Sequence, residues 1–121
     1  MHKIITGIHV EVTDAIREYT LEKLDSLEKY IPKDDTSAKV TVELEKTTAH
    51  HSNGDVFQAE AQLHIKGKDI TIRAVEDDLY KAIDTLKDML ARELSSYKDK
   101  ERSIFRRSAH RMKNLLKKLT N

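Results

Sequence analysis

The chain has 121 residues, 38% of them apolar and 36% charged, and no cysteine. This suits one domain with a real core and a heavily solvated surface, and it excludes a disulfide scaffold, a thiol nucleophile and a cysteine-ligated metal. The net charge of +1 hides an asymmetry: Lys98 to Asn121 holds 9 Lys or Arg against Asp99 and Glu101 (+7), while the preceding 97 residues hold 13 against 19 acids (−6). A basic tail on an acidic body is the footprint of a polyanion contact, or of a merely solvated tail. Met1 to Thr6 lacks the basic start and apolar run of a secretory signal, and no segment has the apolar length to cross a bilayer, so a cytoplasmic address is expected.

In chain order, His2 to Ile8 reads as a short β-branched strand stopping near Gly7. Thr13-Asp14 is an N-cap with an acidic first turn, and Ile16, Thr20, Leu24, Leu27 and Ile31 recur at helical spacing until Pro32. From Ala38 the period changes to two. Ala38, Val40, Val42 and Leu44 alternate with Lys39, Thr41, Glu43 and Glu45, which is the pattern of a half-buried strand. His50 to Asp55 is a polar loop with Asn53-Gly54 as its turn signal. Phe57, Ala59, Ala61, Leu63 and Ile65 form the next strand. Gly67-Lys68 connects it tightly to Ile70, Ile72 and Ala74, as a hairpin.

The last element is the longest. Leu79, Ile83, Leu86, Leu90, Leu94 and Tyr97 make a stripe, with Lys81, Asp88 and Arg92 on the outward ridge. The order β-α-β-β-β-α predicts an α+β fold, a four-stranded sheet with two helices on one face. Beyond Tyr97, Phe105, Ala109, Met112, Leu116 and Leu119 could extend a stripe opposite Arg106, His110, Lys113 and Lys117. Residues 1–100 are therefore expected to form the domain, and 101–121 a basic tail, helical or disordered.

The motif search points away from catalysis. There is no Gly-rich phosphate loop, serine elbow or HExxH, and the three glycines read as turns. His50-His51 with Asp55 is a poor metal site, and Asp77-Asp78 suits a helix start, where acids favour the macrodipole. No enzyme activity, cofactor, metal or small-molecule substrate is expected.

Two blocks carry a resemblance. Ile5-Thr6-Gly7, the run Val10 to Tyr19, Lys23 and Leu27-Glu28-Lys29-Tyr30 form the first. The second is Asp78-Leu79-Tyr80-Lys81-Ala82-Ile83-Asp84, then Leu90 to Leu94, then Lys98-Asp99-Lys100. Together they resemble the ribosome hibernation-promoting factors, or ribosome-associated inhibitors, also known as sigma-54 modulation proteins. The resemblance spans roughly the first hundred residues in the order and spacing of whole elements. It implies a fold like that of double-stranded-RNA-binding domains, and a protein lying in the mRNA and tRNA channel of the small ribosomal subunit, where it contacts ribosomal RNA and blocks the A and P sites.

By the same resemblance, Arg17, Lys23, Lys29, Lys81, Arg92, Lys98, Lys100 and Arg102 would touch ribosomal RNA, with weaker tail contacts from Arg106, Arg107, Arg111 and Lys113. Met89 and Ser96 depart from the family, standing where relatives commonly carry lysine. The basic tail points to the short hibernation-promoting type, with a ribosome modulation factor as a partner on the same ribosome. Two alternatives stand beside this reading: a transcription modulator binding a sigma factor or DNA, and a membrane-surface protein acting through the tail.

Overall fold

The computed structural model describes residues 1–48 and 54–120. β1 (His2–Ile8) is followed by α1 (Asp14–Asp25) and a 3-10 turn (Glu28–Tyr30). After these come β2 (Lys39–Thr48), β3 (Asp55–Ile65), β4 (Lys68–Glu76) and α2 (Leu79–Thr120). The strands form one sheet in the order β1-β2-β3-β4, with β1 parallel to β2 and the other pairs antiparallel. A parallel pair needs a crossover, and α1 supplies it. The expected α+β architecture is present. Residues 49–53, which include His50-His51 and Asn53 of the predicted loop His50 to Asp55, lie outside the described residues.

The core lies between the helices and one face of the sheet. Ile5, Val42, Ala61 and Ile72 stand opposite one another across the four strands, and Leu44, Ala59 and Ala74 form a neighbouring row. Ala59, Ala61 and Ala74 are buried and small, which leaves room for Leu79, Ile83, Leu86, Leu90 and Leu94 to sit close to the sheet. Leu24, Leu27 and Ile31 complete the core from the α1 side.

The connections follow from local chemistry. Thr13 caps α1, its hydroxyl accepting from the Ile16 N–H at 3.2 Å. Gly7 sits where an added Cβ would lie 2.4 Å from the Val10 carbonyl oxygen, so the chain turns back too tightly there for any side chain. Lys66 and Gly67 both have positive φ, 47° and 75°, as a two-residue hairpin turn twisted with its strands demands.

One expectation needs correction. The first helix does not run to Pro32; α1 stops at Asp25. The Ser26 hydroxyl takes the Lys23 carbonyl at 2.6 Å, and the Leu27 N–H bonds Leu24 three residues back, tightening the end into a 3-10 turn. Lys29 therefore belongs to that turn, not to α1. The basic segment from residue 101, expected to be helical or disordered, continues α2 as helix over its described residues. α2 is continuous over 42 residues, about 63 Å at 1.5 Å per residue. No glycine or proline follows Gly67, and the packed half supplies the nucleus that an isolated tail would lack. Past Lys98 the stripe runs beyond the sheet, leaving Phe105, Met112 and Leu119 at 75%, 64% and 81% exposure.

Leu86→Ala and Leu90→Ala should each destabilise the fold by about 2–5 kcal/mol, read as a lower urea midpoint, because each empties a fully buried leucine site. Removing residues 103–121 should leave that midpoint unchanged, because the described apolar side chains of that segment are uncovered.

Candidate nucleic-acid interface

The cations sort by whether a carboxylate already holds them. Lys23 lies 3.5 Å from Asp84, and Lys81 lies 3.6 Å from Asp77 and 3.9 Å from Glu76. Both are thus largely balanced within the fold. Arg17, Lys29, Arg92, Lys98, Lys100 and Arg102 have no carboxylate at ion-pair distance among the described residues. The i, i+4 spacing of Asp88 and Arg92 does not make a pair, since Asp88 is taken by Lys87 at 3.6 Å. Arg106, Arg107, Arg111 and Lys113 stand exposed along the outer half of α2.

A polar cluster fixes the two helices against each other. The Tyr19 hydroxyl donates to Asp84 at 2.5 Å, Lys23 lies 5.0 Å from the Tyr19 ring centroid, and Tyr80 meets that ring edge-on at 4.9 Å. The hydrogen bond to Asp84, reinforced by partial burial, holds the Tyr19 phenol above its ordinary range. Lys23 here works mainly between the helices, gluing α1 to α2. Met89 is half-buried against the core.

A second anchor positions Lys29. Lys3 reaches from β1 to Glu28 at 2.6 Å and Asp25 at 3.1 Å, and the N-terminal ammonium lies 3.4 Å from Glu28. Burial lowers the Lys3 pKa, but the Glu28 and Asp25 carboxylates outweigh it and leave the ammonium raised. The Lys3 hydrogen bond in turn holds Glu28 below the usual carboxylate range. Lys98 then ties the 3-10 turn to α2, its ammonium donating to the Lys29 carbonyl at 3.3 Å.

The open face of the sheet has the opposite character. Glu43 and Glu60 are direct cross-strand neighbours, and Arg73 on β4 braces Glu60 through two hydrogen bonds at 3.0 and 2.7 Å. Glu43, Glu45, Glu60 and Asp69 share this face with Lys39 and Arg73, so it carries an acidic excess. Among the described residues no group of metal-ligating side chains converges, and no helix is long and apolar enough to cross a membrane.

Residues 4–102 match the model of the family described as Sigma 54 modulation protein / S30EA ribosomal protein. The chain belongs to that family. A ribosome hibernation promoting factor of Pseudomonas putida is 37% identical over 107 residues, spanning 88% of this chain and 96% of the relative. One from Escherichia coli K12 is 40% identical over 96 residues, 79% of this chain and 92% of the relative. Among solved structures, a ribosomal subunit interface protein from Coxiella burnetii has a TM-score of 0.65 at 27% identity, covering 82% of this chain and 99% of that one. The N-terminal domain of Thermus thermophilus Protein Y has the same score at 30% identity, covering 80% and 99%. The S30EA match ends at Arg102, so the exposed outer half of α2 lies beyond it.

Sequence reading missed Lys33, Lys66 and Lys68, which stand near Lys29 and Lys98 at one end of the domain. Lys33 follows a helix stop, and the other two flank the hairpin glycine. Turn signals dominate the local pattern at those positions, and charge alone does not mark them.

The Glu28 anchor predicts a pH effect. A carboxyl lowered in the folded state contributes stability above its unfolded value, near pH 4.3, and loses it as pH falls through the folded value. Melting temperature should therefore fall on acidification through this window, and Glu28→Gln should flatten that part of the profile. A mutant profile parallel to the parent's would show that the anchor contributes nothing.

Proposed function

We propose that this chain binds the ribosome and holds it inactive, in a hibernating state, by occupancy without catalysis. The carrying observation is the division of charge: among the described residues six cations on or beside the helices lack carboxylate partners, whereas the open sheet face carries Glu43, Glu45, Glu60 and Asp69 against Lys39 and Arg73. The S30EA membership and the hibernation-promoting relatives support the ribosome as the target of that charge. Ribosomal RNA of the small subunit is the ligand, and the mRNA and tRNA channel is the place.

RNA duplexes are recognised mainly through shape, phosphates and 2′-hydroxyls, so separated cations on a rigid frame suffice. Arg17, Lys29, Arg92, Lys98, Lys100 and Arg102 make the principal contacts. Lys23 and Lys81 contribute less, because Asp84, Asp77 and Glu76 already balance them. Arg106, Arg107, Arg111 and Lys113 extend the contact along α2. The site of action is cytoplasmic, and the short type acts beside a ribosome modulation factor. A transcription-modulator role draws no support from the helices, which cross over and pack on a sheet and do not form a helix-turn-helix.

Charge reversal at Arg17 and Arg92 together should weaken binding to purified small subunits at least tenfold, measured by pelleting, with the melting temperature nearly unchanged. The slope of log affinity against log salt should flatten by about 1.4–1.8, from about 0.7–0.9 per lost phosphate contact. Unaltered affinity and slope would remove these two residues from the interface.

A further inference from the structure

One end of the domain carries a cleft of about 380 Å³, lined chiefly by Lys29, Tyr30, Lys33, Tyr97, Lys98 and Arg102. Its walls come from three separate segments: the 3-10 turn and the chain after Pro32, the β3–β4 hairpin turn, and α2. The bonds that hold these walls leave most of the cationic heads unused. The Asp35 carboxylate accepts from the Lys66 backbone N–H at 2.8 Å, joining the hairpin turn to the segment after Pro32. That bond, with help from Ser37, keeps the Asp35 carboxyl below its ordinary range. Lys98 donates to the Lys29 carbonyl, joining α2 to the 3-10 turn.

Lys29, Lys33, Lys98 and Arg102 thus converge on one concavity with no carboxylate at ion-pair distance among the described residues. Elsewhere the fold pairs its lysines readily, as with Lys3, Lys23, Lys46, Lys81 and Lys87. Four unbalanced cations held close repel one another, and an anion with several charges relieves that repulsion. The two tyrosines add what a bare anion does not use. Lys29 lies 5.2 Å from the Tyr30 ring centroid and Lys68 lies 5.0 Å from that of Tyr97, so both rings already serve as aromatic surfaces beside charge. The volume lies in the range of small-ligand sites, about 300–1,000 Å³.

We propose that this cleft binds a phosphorylated nucleotide, its phosphates among Lys29, Lys33, Lys98 and Arg102 and its base against the tyrosine rings. The nucleotide is either free or part of a single RNA strand, and phosphates beside a stacked base are the chemistry common to both. The inference deepens the ribosomal-RNA reading, from which it takes Lys29, Lys98 and Arg102, and it adds Lys33 and the two rings.

Calorimetric titration of the full chain tests it, with GTP, tripolyphosphate and a six-nucleotide uridine RNA as probes. GTP should bind at least fivefold more tightly than tripolyphosphate, and the RNA should compete with it. Lys33→Glu combined with Arg102→Glu should weaken binding of the nucleotide and of the RNA at least tenfold, with an unchanged circular dichroism melt. If charge reversal loosens the fold, the Lys33→Ala and Arg102→Ala pair carries the same comparison. Binding of the RNA alone, lost in the cleft variant, would assign the nucleotide to a strand. No binding of either probe, equal binding by the variant, or tripolyphosphate matching GTP would overturn the proposal. Parallel pelleting with ribosomes separates the two readings: loss of ribosome binding by the parent chain, with GTP binding intact, would count against the ribosomal role alone.

Discussion

Everything in this molecule depends on how closely α2 can approach the sheet. Leu79, Ile83, Leu86, Leu90 and Leu94 are all buried, and opposite them β3 and β4 offer Ala59, Ala61 and Ala74. Large residues on the helix pack over small ones on the sheet, and this favours one rotational setting of α2. That setting turns Asp84 toward Tyr19 and Lys23, which places α1, and it brings Lys98 to the 3-10 turn, which places Lys29. A bulkier residue at Ala59 or Ala61 would lift the helix and misplace every cation it carries.

The electrostatics follow from where carboxylates were spent. Acid on α1, α2 and the strand ends neutralises Lys3, Lys23, Lys81 and Lys87, in pairs that brace the frame. Exposed pairs of this kind contribute little stability each, about 0–1 kcal/mol. Their larger consequence lies in the cations they leave out, because an unpaired arginine or lysine retains its full attraction for phosphate. The open sheet face, with Glu43 beside Glu60, carries more acid than base.

The outer half of α2 extends this arrangement by continuity. A helix of that length and composition is marginal alone, but here it grows from a packed nucleus, so its cations project at a set angle from the domain. Its exposed apolar side chains share the helical face that is buried further back, so the stripe continues after the sheet ends.

The sequence by itself determined the order of elements, the sheet's buried face and the hairpin turn. A period of two or of 3.6 is a local property, and so is the need for positive φ at Gly67. It also contained the family resemblance and the list of candidate cations. It could not say where α1 ends, because the Ser26 and Leu27 bonds that stop it compete closely with another helical turn. It left the tail undecided, because helix propagation there depends on the packing of Leu79 to Leu94 earlier in the same helix. Only the tertiary structure decided which cations are available. Lys23 and Asp84 are 61 positions apart, Lys33 and Arg102 are 69 apart, and whether such charges cancel or converge is a matter of distance in space, which no local pattern records.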